Sequence, residues 1–141
     1  MSGNDTTAKL APLTAPTLAE LEALAYDAFA RLPAKFRARC EGLIIHVEDF
    51  PDDETLDAME IDDPFGLLGL FRGHGLAQRG AVAETGQMPN MVFLYRRPIL
   101  DYWAEHEETL GHLVTHVLVH EIGHHFGLSD DDMAAIEAAA G

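Results

Sequence analysis

Apolar side chains recur at helical spacing in the first third of the chain. Thr17 and Glu20 form a capping-box pattern, and apolar positions then repeat every three to four residues, which predicts a helix. A second, shorter helix is predicted over Ala34–Cys40. Residues 1–16 are rich in Ser, Thr, Ala and Pro and have no hydrophobic core segment. We therefore expect a flexible N-terminal leader over residues 1–16 and a single folded domain over residues 17–141.

The middle of the chain contains short runs of branched and aromatic residues. Leu43–Val47 and Met91–Tyr95 are each typical of a strand, and a third strand is predicted within Phe65–Arg72. The acidic stretch Glu48–Asp63 favours a polar loop with one helical turn, and a glycine-rich connection is predicted over Gly73–Pro89.

Helical patterns return in the last third of the chain. A short helix is predicted from Pro98 to Trp103. A long helix is predicted from about Glu107 to Gly127, because glycine can end a helix in the left-handed conformation. A last helix follows over Asp131–Ala140. The predicted fold class is therefore α+β, with a small mixed sheet flanked by helices.

Charge and cysteine content narrow the range of partners. The chain has 24 Asp and Glu against nine Lys and Arg, a formal net charge of −15. Such a surface repels phosphate backbones and anionic membranes, so we expect neither nucleic acid nor membrane as a partner.

Cys40 is the single cysteine, which excludes an internal disulfide and fits a reducing compartment. We expect a cytoplasmic protein, and its oligomeric state is not specified by these features.

The long predicted helix carries residues suited to metal chemistry. His120 and His124 are four positions apart, so both project from one helix face about 6 Å apart along the axis. Two imidazoles at this spacing can bind one zinc ion. Glu121 is displaced by about 100° around the helix, which suits a general base acting on a metal-bound water better than a ligand.

A catalytic zinc site also needs a third protein ligand and an open position. One straight helix cannot bring a third ligand to the same point, so the chain must turn. Gly127 allows that turn without steric cost, and the carboxylate of Asp130 can then return to the metal. Asp130 also suits the N-cap of the last helix, although Ser129 can take that role instead.

The segment His-Glu-x-x-His-x-x-Gly-x-x-Asp resembles the metzincin-type zinc signature, with Asp in place of the usual third His. It is most similar to the small bacterial zincin-like metallopeptidases, as is Phe93–Pro98 ahead of it, and the resemblance covers roughly residues 91–133. It implies a zincin-like fold with the active-site helix near the C-terminus, one zinc ion as cofactor and a peptide or protein substrate. The implied zinc ligands are His120, His124 and Asp130, and the implied catalytic residue is Glu121.

Several side chains have two interpretations. Glu137 is the rival third ligand, at the distance where gluzincin-type enzymes place a carboxylate on a following helix. Tyr95 can donate a hydrogen bond to a developing oxyanion, or it is a strand-end aromatic residue. Met91–Leu94 is either an edge strand that pairs with a peptide or buried sheet. On the helices, His116 is expected to be solvated or to support a ligand, and Met133 is expected in the core.

The function that these patterns favour is metal-assisted hydrolysis of a peptide bond, with Glu121 as general base on a zinc-bound water. One alternative is a zinc-binding structural or interaction module without proteolytic activity. Another is a hydrolase that applies the same chemistry to a non-peptide substrate. The residues of the motif are common to all three.

Overall fold

The computed structural model describes residues 2–73 and 89–140. Eight of the described elements are helical and three are strands. In chain order they are α1 (Ser2–Leu10), α2 (Leu18–Ala30), α3 (Ala34–Ala38), β1 (Ile44–Glu48), α4 (Asp53–Ala58), a 3-10 turn (Pro64–Gly66), β2 (Gly69–Arg72), β3 (Met91–Tyr95), α5 (Arg96–Glu105), α6 (Leu110–His125) and α7 (Asp130–Ala140).

The three strands form one mixed sheet in the order β1-β3-β2. β1 runs parallel to β3, with Ile44 opposite Met91, and β2 runs antiparallel to β3, with Gly69 opposite Leu94. The predicted α+β class is therefore confirmed. The interpretation of Met91–Leu94 as a peptide-pairing edge is wrong, because β3 is the central strand and its backbone pairs with a neighbour on both sides.

Helix α2 begins as the sequence predicts. The Thr17 hydroxyl accepts a hydrogen bond from the Glu20 N–H (3.1 Å), and the Glu20 carboxylate accepts one from the Thr17 N–H (2.9 Å). These two bonds satisfy amide groups that the first helical turn leaves unpaired. Leu21 and Ala25 are fully buried on the face that packs against β1 and α6. The core thus lies between the sheet and these two helices.

Thr109 caps the start of helix α6, and its hydroxyl accepts a hydrogen bond from the His112 N–H (3.0 Å). The helix ends at His125, and the chain then turns at Gly127, where φ is +73°, with the Leu128 N–H donating to the Gly123 carbonyl (2.9 Å). The left-handed glycine is as predicted, and the hydrogen bond completes a Schellman arrangement. Apolar residues spaced three to four apart face the core along this helix, namely Leu113, Val114, Val117, Leu118 and Ile122.

After Gly127 the chain reverses, and α7 packs back against α6. The Ser129 hydroxyl accepts a hydrogen bond from the Asp132 N–H (3.1 Å), so Ser129 caps this helix. Met133 is 0% exposed and belongs to the core, as expected. It lies against Gly123, where an added Cβ would be only 2.5 Å from the Met133 sulfur. The missing side chain of Gly123 therefore sets how closely the two helices approach.

The ends and connections differ from the predictions in detail. The predicted leader contains α1, and the described side chains of residues 6–15 are exposed. The acidic loop holds α4, a little more than the single turn expected. Most of the predicted glycine-rich connection, residues 74–88, lies outside the described residues. Across the described ranges, no helix is both long enough and apolar enough to cross a membrane.

Candidate metal centre

Three histidines occupy successive turns on the solvent side of α6. The ring centroids of His116 and His120 are 4.0 Å apart, and those of His120 and His124 are 5.6 Å apart with the rings nearly perpendicular. His120 is half-buried, whereas His116 and His124 are exposed. The four-residue spacing read from the sequence therefore produces a row of imidazoles along one helix face.

Glu137 of α7 reaches this row from the neighbouring helix. Its Oε1 lies 2.9 Å from the His116 Nδ1, and its Oε2 lies 3.2 Å from the His120 Nε2. The Glu137 side chain is only 15% exposed. One carboxylate thus contacts two imidazoles at once, and we call His116, His120 and Glu137 the carboxylate–histidine cluster.

The donor atoms of this cluster suit zinc. One ligand atom from each of its three residues lies within 4.8 Å of the other two. Among the described residues, no other set of three His, Cys, Asp or Glu side chains has its ligand atoms this close together. Imidazole nitrogen and carboxylate oxygen are both usual zinc ligands. The residues present therefore fit the metal that the sequence motif implies.

Two of the ligands predicted from the sequence lie outside the cluster. His124 is exposed one helical turn further along α6, and Asp130 is exposed at the first position of α7. Because Ser129 caps α7, the Asp130 carboxylate does not take the capping role considered for it. The structure brings His120 together with the rival carboxylate Glu137.

Glu121 projects from a different side of α6, toward β2. Burial raises the pKa of its carboxyl above the ordinary value, while nearby His124 and a hydrogen bond from the Phe71 N–H act in the opposite direction. A Cβ built on Gly69 would lie 3.4 Å from the Glu121 Cγ and 2.8 Å from a Val117 methyl carbon. The glycine thus lets the helix carrying Glu121 lie directly on β2.

Tyr95 lies at the end of β3 and is 2% exposed. Burial, together with the negative charge of Glu48, raises the pKa of its hydroxyl to about 12. The phenol is therefore neutral at physiological pH and can donate a hydrogen bond. Its role as an oxyanion donor stays a prediction, and the ring itself is part of the buried sheet.

The sequence left the roles of two contributors to the site incomplete. His116 was expected to be solvated or to support a ligand, but its partner, the Glu137 carboxylate 21 residues further along the chain, was not predicted. Gly69 was assigned to a strand without a role. A glycine inside a strand pattern marks a close approach of neighbouring groups, and that signal was available at this position.

A family model described as zincin-like metallopeptidase matches residues 40–140, about 70% of the chain. The matched range includes all three strands and the helices α4 to α7. A search of curated proteins finds none that matches the chain.

Proposed function

Because the chain belongs to the zincin-like metallopeptidase family, we propose that it is a zinc-dependent hydrolase that cleaves peptide bonds. Glu121 is the proposed general base, and His120 and His124 hold the zinc ion with either Asp130 or Glu137 as third ligand. The observation that carries the proposal is the juxtaposition on α6. His120 and His124 share one helix face, and the half-buried Glu121, the residue directly after His120, projects from a different side of the helix toward β2.

When bound, zinc supplies Lewis acidity, polarising a carbonyl oxygen and lowering the pKa of a bound water toward about 7. The Glu121 carboxylate accepts a proton from the attacking water and then delivers it to the leaving nitrogen of the amide. The raised pKa of Glu121 supports this role, because a base works best when its pKa approaches the working pH. The Phe71 N–H of β2 favours the ionised form of this carboxyl, which is the form that accepts a proton.

The proposed substrate is a peptide or protein segment. With a net charge of −15, the surface favours neutral or basic segments over acidic ones, since opposite charges steer association and like charges oppose it. A hydrolase of esters or other non-peptide bonds would use the same groups. Comparing amide and ester substrates, each with zinc and with chelator, separates these activities.

A non-proteolytic zinc module is the second candidate, and His116 favours it. This residue adds another imidazole beside His120 and Glu137, so the region holds enough donors for a closed, four-ligand site. Structural zinc sites are closed, whereas catalytic sites keep one position open for water. A crystal structure of the zinc-loaded protein distinguishes them by the number of protein ligands.

The decisive variant is Glu121→Gln, which removes the base but neither imidazole. We expect it to bind zinc like the wild type and to lose hydrolysis of a peptide library, because an amide cannot accept the proton. His120→Ala is expected to lose both zinc and activity. The matched control is Glu107→Gln, an exposed carboxylate before α6, which should leave both unchanged. Full activity in Glu121→Gln would overturn the assignment of the base.

A further inference from the structure

We propose that Glu137 is the third protein ligand of the metal, and that His116 is the residue that positions its carboxylate. The inference rests on the proposed zinc site at His120 and His124, and it replaces Asp130 in that site. Glu137 would contact the ion, whereas His116 would act only through Glu137.

The distance between Glu137 and His120 supports shared ligation. In a tetrahedral site with bonds of about 2.0–2.1 Å, neighbouring ligand atoms are roughly 3.4 Å apart. The Oε2 of Glu137 and the Nε2 of His120 are 3.2 Å apart. These two atoms therefore already lie at about the separation that a common zinc ion requires, whereas His124, which lies outside the carboxylate–histidine cluster, must reach the ion from the next turn of α6.

His116 determines which oxygen of Glu137 is available. The His116 Nδ1 is 2.9 Å from Oε1, on the opposite oxygen from the one that faces His120. Carboxylates that ligate metals are themselves usually hydrogen-bonded, and such partners fix the orientation of the ligand. With Oε1 engaged by His116, Oε2 is the oxygen directed toward the metal position.

Packing of α7 fixes Glu137 in place more firmly than Asp130. Met133 precedes Glu137 by four positions and shares its helix face, and Met133 is fully buried against Gly123 of α6. Glu137 is consequently turned toward α6 and is largely buried. Asp130 begins the helix beside the chain reversal and is exposed, so it has no comparable constraint.

Zinc affinity, measured by competition with a chromophoric chelator, tests the ligand assignment. We expect Glu137→Gln to weaken zinc binding by more than about 100-fold, beyond the loss typical of an outer-shell change. Asp130→Asn and the control Asp131→Asn, an exposed carboxylate of the same helix turn, should bind within about threefold of wild type. Loss of zinc in Asp130→Asn with retention in Glu137→Gln would overturn the proposal.

Cobalt(II) substitution distinguishes ligation from a structural role. Glu137→Gln is expected to change the visible absorption spectrum of any bound cobalt, because the set of donor atoms changes. His116→Ala should weaken zinc binding by about 10–100-fold while leaving the cobalt spectrum of the loaded protein unchanged, and His116→Gln should restore much of the affinity. A changed spectrum in His116→Ala, without rescue by His116→Gln, would overturn the positioning role.

Folding is checked on the metal-free variants by far-UV circular dichroism and urea unfolding in EDTA. If Glu137→Gln does not fold, Glu137→Asp replaces it: the shorter carboxylate should also weaken zinc binding, and unchanged affinity would count against the proposal.

The outcomes also separate the two proposals. Wild-type protein that binds no zinc refutes both. Zinc-binding wild type with an unaffected Glu137→Gln refutes this inference alone. Zinc lost in Glu137→Gln but no hydrolysis by wild type refutes the peptidase alone.

Discussion

The contact between Gly123 and Met133 allows a quantitative test of how α6 and α7 are held together. In Gly123→Ala the new Cβ would lie 2.5 Å from the Met133 sulfur and 2.8 Å from its Cγ, far inside the roughly 3.5–4.0 Å of a favourable contact. Met133 is 0% exposed, so any shift of its side chain must be accommodated by the core around it. Overpacking of this kind costs about 1–3 kcal/mol, while alanine gains about 1 kcal/mol in helix propensity over glycine.

Gly111→Ala is the matched control on the same helix. A Cβ at Gly111 meets only a Leu24 methyl carbon at 4.0 Å, so the propensity gain is opposed by no contact. In equilibrium urea unfolding with EDTA present, we expect Gly123→Ala to be less stable than Gly111→Ala by about 1–3 kcal/mol. The comparison isolates the helix–helix contact, because both variants make the same chemical change.

A double-mutant cycle identifies the partner. Met133→Ala alone is expected to cost about 2–5 kcal/mol. In the double variant the new methyl group enters the vacated space, so the combined cost should fall below the sum of the single costs by at least about 1 kcal/mol. The reasoning is refuted if Gly123→Ala is as stable as Gly111→Ala, or if the two single effects are simply additive.

Three further predictions concern the helix cap, the buried thiol and the sheet contact. Thr109→Ala removes the acceptor of the His112 N–H and should lower the free energy of unfolding by about 1 kcal/mol; no change in urea denaturation would contradict the cap. Burial raises the pKa of the Cys40 thiol to about 11, so only about one thiol in a thousand is ionised at pH 8. Because the thiolate is the reactive form, native protein should react with iodoacetamide far more slowly than urea-unfolded protein. Because the pKa of this thiol is higher in the folded than in the unfolded state, the thiol stabilises the fold fully below about pH 8.5, and this contribution declines toward pH 11. Cys40→Val should flatten that decline in alkaline denaturation curves. Gly69→Ala places a carbon 2.8 Å from a Val117 methyl carbon, so it should lower the free energy of unfolding by about 1–3 kcal/mol and reduce turnover. An unchanged free energy of unfolding together with unchanged turnover would show that α6 does not need this close approach to β2.

Features that depend on neighbouring residues could be predicted from the sequence. The capping box at Thr17, the left-handed turn at Gly127 after α6 and the strand Met91–Tyr95 all match. Each is determined within one or two turns of chain, by a side chain that bonds a nearby amide or by a backbone conformation that glycine adopts easily. The spacing of His120 and His124 belongs to the same class, because helix geometry alone places them on one face.

Features that depend on packing between distant segments could not be predicted in the same way. The position of β3 at the centre of the sheet depends on two partners, one of which precedes it by more than 40 residues. The contact of Glu137 with His116 depends on how closely α7 approaches α6, which in turn depends on Gly123 and Met133. A sequence pattern shows which residues can be ligands, but the approach of the two helices selects among them.

The zinc content of the wild-type chain tests the central claim most directly. The protein is incubated with zinc at neutral pH, excess metal is removed by desalting, and the mass is measured under native conditions. The His120 and His124 pair on α6, with a carboxylate from α7 completing the site, predicts a mass that corresponds to one zinc ion per chain. A spectrum that contains only the metal-free mass would contradict the proposal of a zinc-dependent hydrolase.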